Sequence, residues 1–372
     1  MLTSEFDYHL PEDRIAQQPL EPRDASRLLV VHRATGEFEH RTFRDIVEYL
    51  RPGDLLVANE TRVIPARLRA VKDPSGGRVE VLLLARRDPL RWEALVRGRR
   101  VPVGQRLLFP RAGDASEPAA AAAPVAATVE AITPSGGRLL RFDAPVDGRL
   151  QSLGEVPLPP YIHQALDDPE RYQTVYACAE GSTAAPTAGL HFTPELMART
   201  RELGVAWATV LLHIGLDTFR PVTEERVEDH QIHTEYCRLG AEAADAVNRA
   251  RAEGRRVIAV GTTSVRVLET AARAVEGATV APEGTRVAPE GTRVAPEGTR
   301  VREWDGPTDL FITPGYRFRV VDALVTNFHL PRSSLLMLVS AFATRDRIMR
   351  AYEEAIREGY RFYSLGDSML IL

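Results

Sequence analysis

The sequence predicts an α/β main domain and an inserted antiparallel β-barrel domain. Two observations separate them. Strand-like apolar runs alternate with helical patterns in the first 62 residues and again after residue 152, which is typical of an α/β domain. Residues 63–151 lack helical patterns, and short strand-like runs follow one another there with Pro-Ser-Gly-Gly turns at 74–77 and 134–137. This pattern indicates a small antiparallel barrel or sandwich, of which we predict the barrel. We therefore assign residues 1–62 and 152–372 to the main domain and 63–151 to the insertion.

The elements follow from local patterns taken in chain order. Thr193 is predicted to cap a helix that begins at Pro194 and ends near Gly204. Other predicted helices are residues 43–50, 241–253, 265–274 and 346–358, together with a helix that has Ser333 or Ser334 as its N-cap. Predicted strands are residues 28–31, 54–58, 78–84, 91–96, 138–142, 205–213, 257–260, 320–325 and 360–363. Residues 280–300 repeat Val-Ala-Pro-Glu-Gly-Thr-Arg three times, and Pro and Gly in every unit favour a low-complexity surface loop over a coiled coil.

Composition limits the class of protein. No apolar run of about 18 residues is present, so no membrane span is expected. The N-terminus shows no secretory pattern, and only Cys178 and Cys237 occur, so we expect a cytoplasmic protein. A net charge of −4 gives no overall attraction for nucleic acid, and a polyanion partner needs a local basic patch.

Polar segments follow several predicted strands at their carboxyl ends. Open α/β sheets bind ligands at that edge. The segments are residues 59–62, 213–220, 261–264 and 326–329, with a further loop at 181–192. The segment 261–264 precedes a helix and suits a carboxylate or phosphate, although simple helix capping is an equal alternative. No P-loop and no dinucleotide fingerprint occurs.

Three histidines, His191, His213 and His329, lie in these segments, and His moves protons readily near neutral pH. A purely structural role is the alternative for each of them. His230, His233, Glu235 and Cys237 are close in sequence, but their spacing matches no recognised zinc motif. We therefore predict no metal site.

The predicted insertion is locally basic. The segment from residue 86 to residue 111 contains eight arginines and only two acidic residues, Asp88 and Glu93, which gives a local charge of +6. Such a strand-rich face binds RNA phosphates or is merely solvated. A second basic set flanks residues 320–342 and comprises Arg317, Arg319, Arg332, Arg345, Arg347 and Arg350.

Long motifs along nearly the whole chain carry a family resemblance. They include NETRVIPARL at 59–68, GSTAAPTAGLHFT at 181–193, LHIGLDTFRPV at 212–222, VIAVGTTSVRVLE at 257–269 and TDLFITPGYRFRVVDALVTNFHLPRSSLLMLVSAF at 308–342. The chain resembles the S-adenosylmethionine:tRNA ribosyltransferase-isomerase family of queuosine biosynthesis. It departs from the family pattern at Glu60, where Asp is usual, and at Thr183, where Val is usual.

The resemblance implies a mixed, distorted barrel-like sheet in the main domain and a specific reaction. The ribosyl group of S-adenosylmethionine is transferred to 7-aminomethyl-7-deazaguanine at the tRNA wobble position and isomerised to give epoxyqueuosine, with release of adenine and methionine. It implies tRNA and S-adenosylmethionine as partners, with no membrane and no cofactor beyond S-adenosylmethionine as co-substrate, and it implies no protein partner.

The resemblance also gives the polar segments expected roles. The expected catalytic residues are His213, His191 and Glu235 as alternative bases at C5′ of S-adenosylmethionine, and His329 as the group that protonates adenine. Expected substrate-binding residues are Asn59, Glu60, Thr61, Arg62, Thr187, Thr218, Phe219, Arg220, His233, Thr262, Thr263, Ser264, Arg266, Tyr316, Thr326 and Asn327. Expected tRNA-binding residues are Arg97, Arg99, Arg100 and Arg332.

Two other functions compete with this one. In a nucleic-acid-binding module without catalysis, the polar segments would only cap helices. A conventional methyltransferase would use the same co-substrate but release S-adenosylhomocysteine.

Overall fold

The computed structural model describes residues 1–110, 125–133, 136–215, 221–273 and 300–372. The surface loop predicted for the repeat at 280–300 lies outside the described residues except for Arg300. The chain forms two compact units. Unit 1 draws on residues 1–61, 160–179 and 186–372, and unit 2 on residues 62–159 and 180–185.

The secondary structure of the described residues is as follows. The strands are β1 Arg27–Val31, β2 Phe38–Thr42, β3 Leu55–Asn59, β4 Thr61–Val63, β5 Arg67–Asp73, β6 Arg78–Arg86, β7 Arg91–Arg97, β8 Arg106–Phe109, β9 Val125–Ile132, β10 Arg138–Phe142, β11 Gly154–Glu155, β12 Ala179–Ser182, β13 Ala206–Leu212, β14 Glu235–Leu239, β15 Val257–Val260, β16 Trp304–Thr308, β17 Ala323–Asn327 and β18 Ser368–Ile371. The α-helices are α1 Leu150–Leu153, α2 Pro194–Glu202, α3 Ala241–Ala252, α4 Thr262–Arg273, α5 Ser334–Ala343 and α6 Arg345–Arg357. Short 3₁₀ helices cover Thr3–Phe6, Glu12–Arg14, Arg23–Ala25, Phe43–Tyr49, Asp147–Arg149, Pro169–Tyr172, Thr187–His191 and Val227–Asp229.

Unit 1 is organised around a nine-stranded mixed sheet in the order β16-β14-β13-β3-β15-β17-β18-β1-β2. The four central strands, β13, β3, β15 and β17, are all parallel to one another. The strands on either side of this group, β14 and β18, run antiparallel to it. Four carboxyl ends therefore meet at one edge of the sheet.

Of the four central strands, β3, β15 and β17 are buried on both faces because their sequences are nearly all apolar, whereas β13 is partly exposed near its start. Alternate residues of these strands pack in one hydrophobic cluster beneath the 3₁₀ helix Thr187–His191 and α2. The helices begin where capping residues satisfy free N–H groups. The Leu196 N–H donates to Thr193 Oγ1 at the start of α2, and the Leu336 N–H donates to Ser333 Oγ at the start of α5.

Unit 2 is a small barrel. Its strands run in the order β11-β5-β6-β7-β10-β9-β8, and β5 also pairs with β8. All pairings are antiparallel, so six strands close on themselves, and β11 pairs with Arg67 and Leu68 at the start of β5. Closure leaves no free edge among the six strands. The predicted fold class, an α/β domain with a mixed sheet plus an antiparallel β-barrel, is confirmed.

Some element boundaries differ from the sequence-based expectations. The strand predicted at residues 360–363 is wrong, because the last strand is β18 and the preceding segment turns at Tyr363, whose φ is +69°. Helix α4 begins at Thr262, so residues 262–264 are its first turn rather than a preceding loop. Thr326 and Asn327 are the last residues of β17. None of the described helices is long and apolar enough to cross a membrane.

Candidate active site

Four of the predicted polar segments meet at the carboxyl edge of the central strands in unit 1. Asn59 ends β3, His213 follows β13, Gly261 follows β15 and Asn327 ends β17. Parallel pairing of these strands places the four positions side by side, as the sequence predicted.

Asn59 is a fully buried junction of this edge. Its Nδ2 donates to the Leu212 carbonyl at 2.9 Å and to Thr263 Oγ1 at 3.2 Å. Its Oδ1 accepts from the N–H groups of Thr61 and Leu212, both at 3.1 Å. The amide therefore uses both donors and both acceptor positions to tie β3, β13 and α4 together, which leaves a substrate contact by Asn59 as an untested prediction.

His213 is half-buried and oriented by Thr61. Thr61 Oγ1 lies 2.9 Å from His213 Nδ1, and the His213 Nε2 has no hydrogen-bond partner in the part of the chain that the structure describes. Burial, and then the nearby positive charge of Arg238, lower the pKa of His213 below its usual value of 6.5. The imidazole is thus neutral near pH 7, with one nitrogen held and the other available to accept a proton.

Glu60 lies next to this pair. Its backbone carbonyl accepts from the N–H groups of Cys178 and Ala179, and its Oε1 lies 3.7 Å from Arg238 Nη2. The Glu60 carboxylate interacts with the Cys178 side chain. Burial is the larger cause that raises the pKa of the Cys178 thiol, and the negative charge of Glu60 is the second. Cys178 is therefore a neutral thiol rather than a nucleophile.

Glu235 and Arg266 form a buried ion pair at the same edge of the sheet, with Glu235 on the opposite face of β14 from Arg238. Arg266 Nη1 donates to Glu235 Oε2, and Glu235 Oε1 accepts from the Gly215 N–H at 3.0 Å. Arg266 also donates to the carbonyl oxygens of Leu310 and Thr308. If Glu235 acted as the base, or if Arg266 bound the substrate carboxylate, that role would compete with the ion pair between them. Both roles stay predictions.

The first turn of α4 combines free backbone N–H groups with hydroxyls. Ser264 Oγ donates to the Val260 carbonyl at 2.8 Å, and Thr263 Oγ1 accepts from Asn59. The Thr262 hydroxyl makes no side-chain hydrogen bond to the described residues, and Gly261 has a φ of +88° that favours glycine. The Gly261 N–H donates to the Val325 carbonyl, so the Thr262 hydroxyl and the N–H groups of residues 262–264, which begin the helix, are the groups that suit an anionic ligand.

His191 is fully buried and has both ring nitrogens engaged. Nδ1 lies 2.6 Å from Ser26 Oγ, and Nε2 lies 3.3 Å from Asn327 Nδ2. The ring stacks on Phe43 with centroids 4.9 Å apart. Burial, and then Arg23 and Arg361, hold the pKa of His191 well below its usual value. The geometry favours His191 as a support for Asn327 over His191 as a base.

His329 is also buried. Its Nε2 lies 2.7 Å from Thr326 Oγ1, and its backbone N–H donates to the Tyr352 hydroxyl at 2.7 Å. Burial lowers the pKa of His329 to about 3. The ring is therefore neutral near pH 7 and carries a single proton, which it can share in a hydrogen bond but does not hold as an acid.

Comparisons with known proteins agree with this architecture. A family model described as "Queuosine biosynthesis protein" matches residues 3–371. The S-adenosylmethionine:tRNA ribosyltransferase-isomerase of Moorella thermoacetica is 54% identical over 376 residues, and that of Symbiobacterium thermophilum is 52% identical over 375; both alignments cover all of each chain. A crystal structure of the S-adenosylmethionine tRNA ribosyltransferase from Thermotoga maritima is similar with a TM-score of 0.52 and 41% identity, covering 99% of this chain and 100% of that one. The chain belongs to the queuosine biosynthesis family.

Family membership confirms the resemblance drawn from the motifs and the prediction of an enzyme. The family's remaining expected residues are placed as follows. Thr187 is partly exposed at the start of a 3₁₀ helix, His233 is exposed before β14, and Arg62 lies in unit 2. The Tyr316 hydroxyl donates to Glu269 Oε2 at 3.0 Å. Thr218, Phe219 and Arg220 lie outside the described residues.

The arginines predicted to bind tRNA are exposed. Arg97, Arg99 and Arg100 in unit 2 make no ion pair with any described residue. In unit 1, Arg332 Nε donates to Asp7 Oδ2 at 2.8 Å, and its backbone has a φ of +55°. Thus the three arginines of unit 2 are free for phosphate, whereas Arg332 is partly neutralised.

Sequence reasoning missed three residues around this site. Tyr236 and Arg238 are the exposed residues of β14, and the buried residues alternate with them. In the sequence, only the period of two in a strand could have indicated that these two side chains share a face. Glu269 is fully buried in α4 and holds the segment that leads into β17. Glu269 lies four residues after Val265 and three before Ala272, and a carboxylate on this apolar face of the helix was the available signal.

Proposed function

We propose that this protein transfers the ribosyl group of S-adenosylmethionine to 7-aminomethyl-7-deazaguanine at the wobble position of tRNA and isomerises it. The product is epoxyqueuosine-tRNA, and adenine and methionine leave. The names of full-length relatives at about half identity support this reaction. With tRNA as substrate the activity belongs in the cytoplasm, and we propose that it needs no cofactor beyond S-adenosylmethionine as co-substrate.

The observation that carries the mechanism is the geometry of His213. The sulfonium makes the hydrogens on the adjacent C5′ acidic, and the reaction begins when a base removes one of them. Of the three histidines at this edge, His213 alone combines partial exposure with a ring nitrogen that has no partner in the described ranges. The proton passes from C5′ to His213 Nε2, and Thr61 holds the ring through Nδ1.

The other groups have supporting roles in this proposal. The first turn of α4 binds the methionine carboxylate through its N–H groups and Thr262. Asn327 and Thr326 lie at the end of β17 and bind ribose or base edges. Neutral His329 donates a hydrogen bond toward the departing adenine rather than protonating it fully.

Incubation of the protein with S-adenosylmethionine and tRNA carrying the aminomethyl-deazaguanine base tests the reaction. We expect adenine and methionine in equal amounts, together with a tRNA nucleoside of higher mass. Release of S-adenosylhomocysteine would show a methyltransferase instead. tRNA binding without consumption of S-adenosylmethionine would show a binding module.

We also expect unit 2 to contact tRNA through its unpaired arginines. Reversal of Arg97, Arg99 and Arg100 to Glu removes three phosphate contacts, so tRNA affinity should fall and its dependence on salt should flatten. The measurement is the dissociation constant for tRNA at several salt concentrations. The matched control reverses Arg69, Arg86 and Arg106 to Glu. These three arginines already pair with carboxylates, and their reversal changes the net charge of the protein by the same amount. Equal losses in both variants would contradict a specific contact.

A further inference from the structure

A row of three ring side chains crosses the outer strands of the sheet in unit 1. His213, Tyr236 and Pro307 belong to three adjacent chain segments. The His213 N–H donates to the Tyr236 carbonyl at 3.1 Å, and Tyr236 lies directly opposite Pro307 in the antiparallel pair of β14 and β16. Opposed residues of neighbouring strands project to the same face. We call His213, Tyr236 and Pro307 the ring row.

Tyr236 is both exposed and held in place. It retains 41% of its accessible surface, whereas its neighbours Glu235 and Cys237 on β14 are buried. Its hydroxyl donates to Asp305 Oδ1 at 2.7 Å, and its ring lies at 24° to the His213 ring with centroids 5.9 Å apart. A large aromatic ring fixed at both ends in an exposed position loses little conformational entropy on binding.

The chemistry of the surroundings limits what the ring row can bind. Arg238 lies opposite Asp305 on the same face and 3.7 Å from the Glu60 carboxylate, so its positive charge is balanced and the patch offers no net positive charge to a phosphate. A protein partner needs roughly 800 Å² on each side, far more than one tyrosine and one proline provide. A flat, neutral ring needs only an exposed aromatic face, and unpaired RNA bases stack on such faces.

We propose that the ring row is a stacking platform for an unpaired nucleobase of the RNA substrate, with Tyr236 as its centre. This inference rests on the proposed function, because it places a nucleotide that neighbours the reacting base beside His213. Tyr236 binds rather than catalyses. Stacking there orients the loop so that the reacting nucleotide reaches the carboxyl edge of the sheet.

The experiment measures equilibrium binding of the deazaguanine-containing tRNA without S-adenosylmethionine. Tyr236→Ala is expected to weaken binding about 5- to 150-fold, the range seen when one base-stacking ring is removed. Tyr236→Phe keeps the ring and should stay within about threefold of wild type. Leu203→Ala is the matched control, since Leu203 is 40% exposed and lies beside the amino end of β13.

A second measurement reports stacking directly. An anticodon stem–loop with a single 2-aminopurine in the loop should lose fluorescence on binding wild type or Tyr236→Phe, but not Tyr236→Ala. Should the alanine variant unfold, Tyr236→Leu replaces it, since leucine keeps apolar bulk without a ring face. Wild-type affinity and quenching in a folded Tyr236→Ala or Tyr236→Leu protein would overturn the platform.

The outcomes separate this inference from the proposed reaction. If wild type releases adenine but Tyr236→Ala binds tRNA normally, the reaction stands and the platform is wrong. If wild type releases no adenine but Tyr236→Ala still loses RNA affinity, the platform stands and the reaction is wrong.

Discussion

Replacement of His213 by Ala is expected to lower kcat for adenine release by about 10²–10⁴-fold, the usual contribution of a general base. The expectation follows from the hydrogen bond between Thr61 Oγ1 and His213 Nδ1, which orients the ring, and from the availability of Nε2 among the described residues. The measurement is turnover at saturating S-adenosylmethionine and tRNA, so that any loss of tRNA affinity through Tyr236 does not contribute.

The pH dependence gives an independent check on His213. A base acts in its deprotonated form, so the rate should rise with pH through the pKa of His213. Burial and Arg238 lower this pKa, which places the rise below pH 6.5. Arg238→Gln removes the positive charge that lowers the pKa of His213, so the rise in rate should move toward higher pH. Arg238 is about half exposed, so solvent screens its charge and the shift is small.

Two controls separate proton transfer from structure. His32 follows β1, which runs antiparallel to the central strands, so it lies at the opposite edge of the sheet and its replacement by Ala should leave turnover within about threefold. Added imidazole should partly restore His213→Ala, since a small base can occupy the space of the lost ring. Turnover of His213→Ala within about threefold of wild type would exclude it as the base.

The sequence predicted that polar segments lie at the carboxyl ends of the central strands, where the candidate site is placed, because apolar runs followed by polar residues indicate strand ends. It could not predict how those polar residues pair. Asn59 bonds to Leu212 and Thr263, and Glu235 to Arg266, over long separations in sequence. Which groups remain free for substrate depends on these pairings, so the three histidines looked equivalent until the structure distinguished them.

Local strand patterns did not predict the structure where contacts between distant parts of the chain determine the backbone. Residues 360–363 alternate like a strand, yet Tyr363 turns the chain with positive φ and its carbonyl accepts from Asn327 Nδ2 at 3.0 Å. The barrel was predictable as antiparallel from its turns, whereas its closure through β5 and β8 depends on a non-local pairing.

Glu269→Gln is expected to lower the free energy of unfolding by about 2–4 kcal/mol. Oε1 of this buried carboxylate accepts from the backbone N–H groups of Arg319, Val320 and Val321 at 3.0–3.3 Å. Oε2 accepts from the Arg319 N–H and the Tyr316 hydroxyl. Every neighbour is a donor. A Gln amide would therefore point an NH₂ group at other donors and leave at least one of them without an acceptor.

Urea unfolding measures this effect, with Glu353→Gln as the matched control because Glu353 is exposed on α6 and should change stability by no more than about 0.5 kcal/mol. Tyr316→Phe removes only one donor and should cost about 1 kcal/mol. Equal stabilities for Glu269→Gln and Glu353→Gln would show that the buried carboxylate does not hold this segment. Because residues 319–321 lead directly into β17, the expected loss would also mean that Glu269 in α4 fixes the strand on which Asn327 is presented to the site.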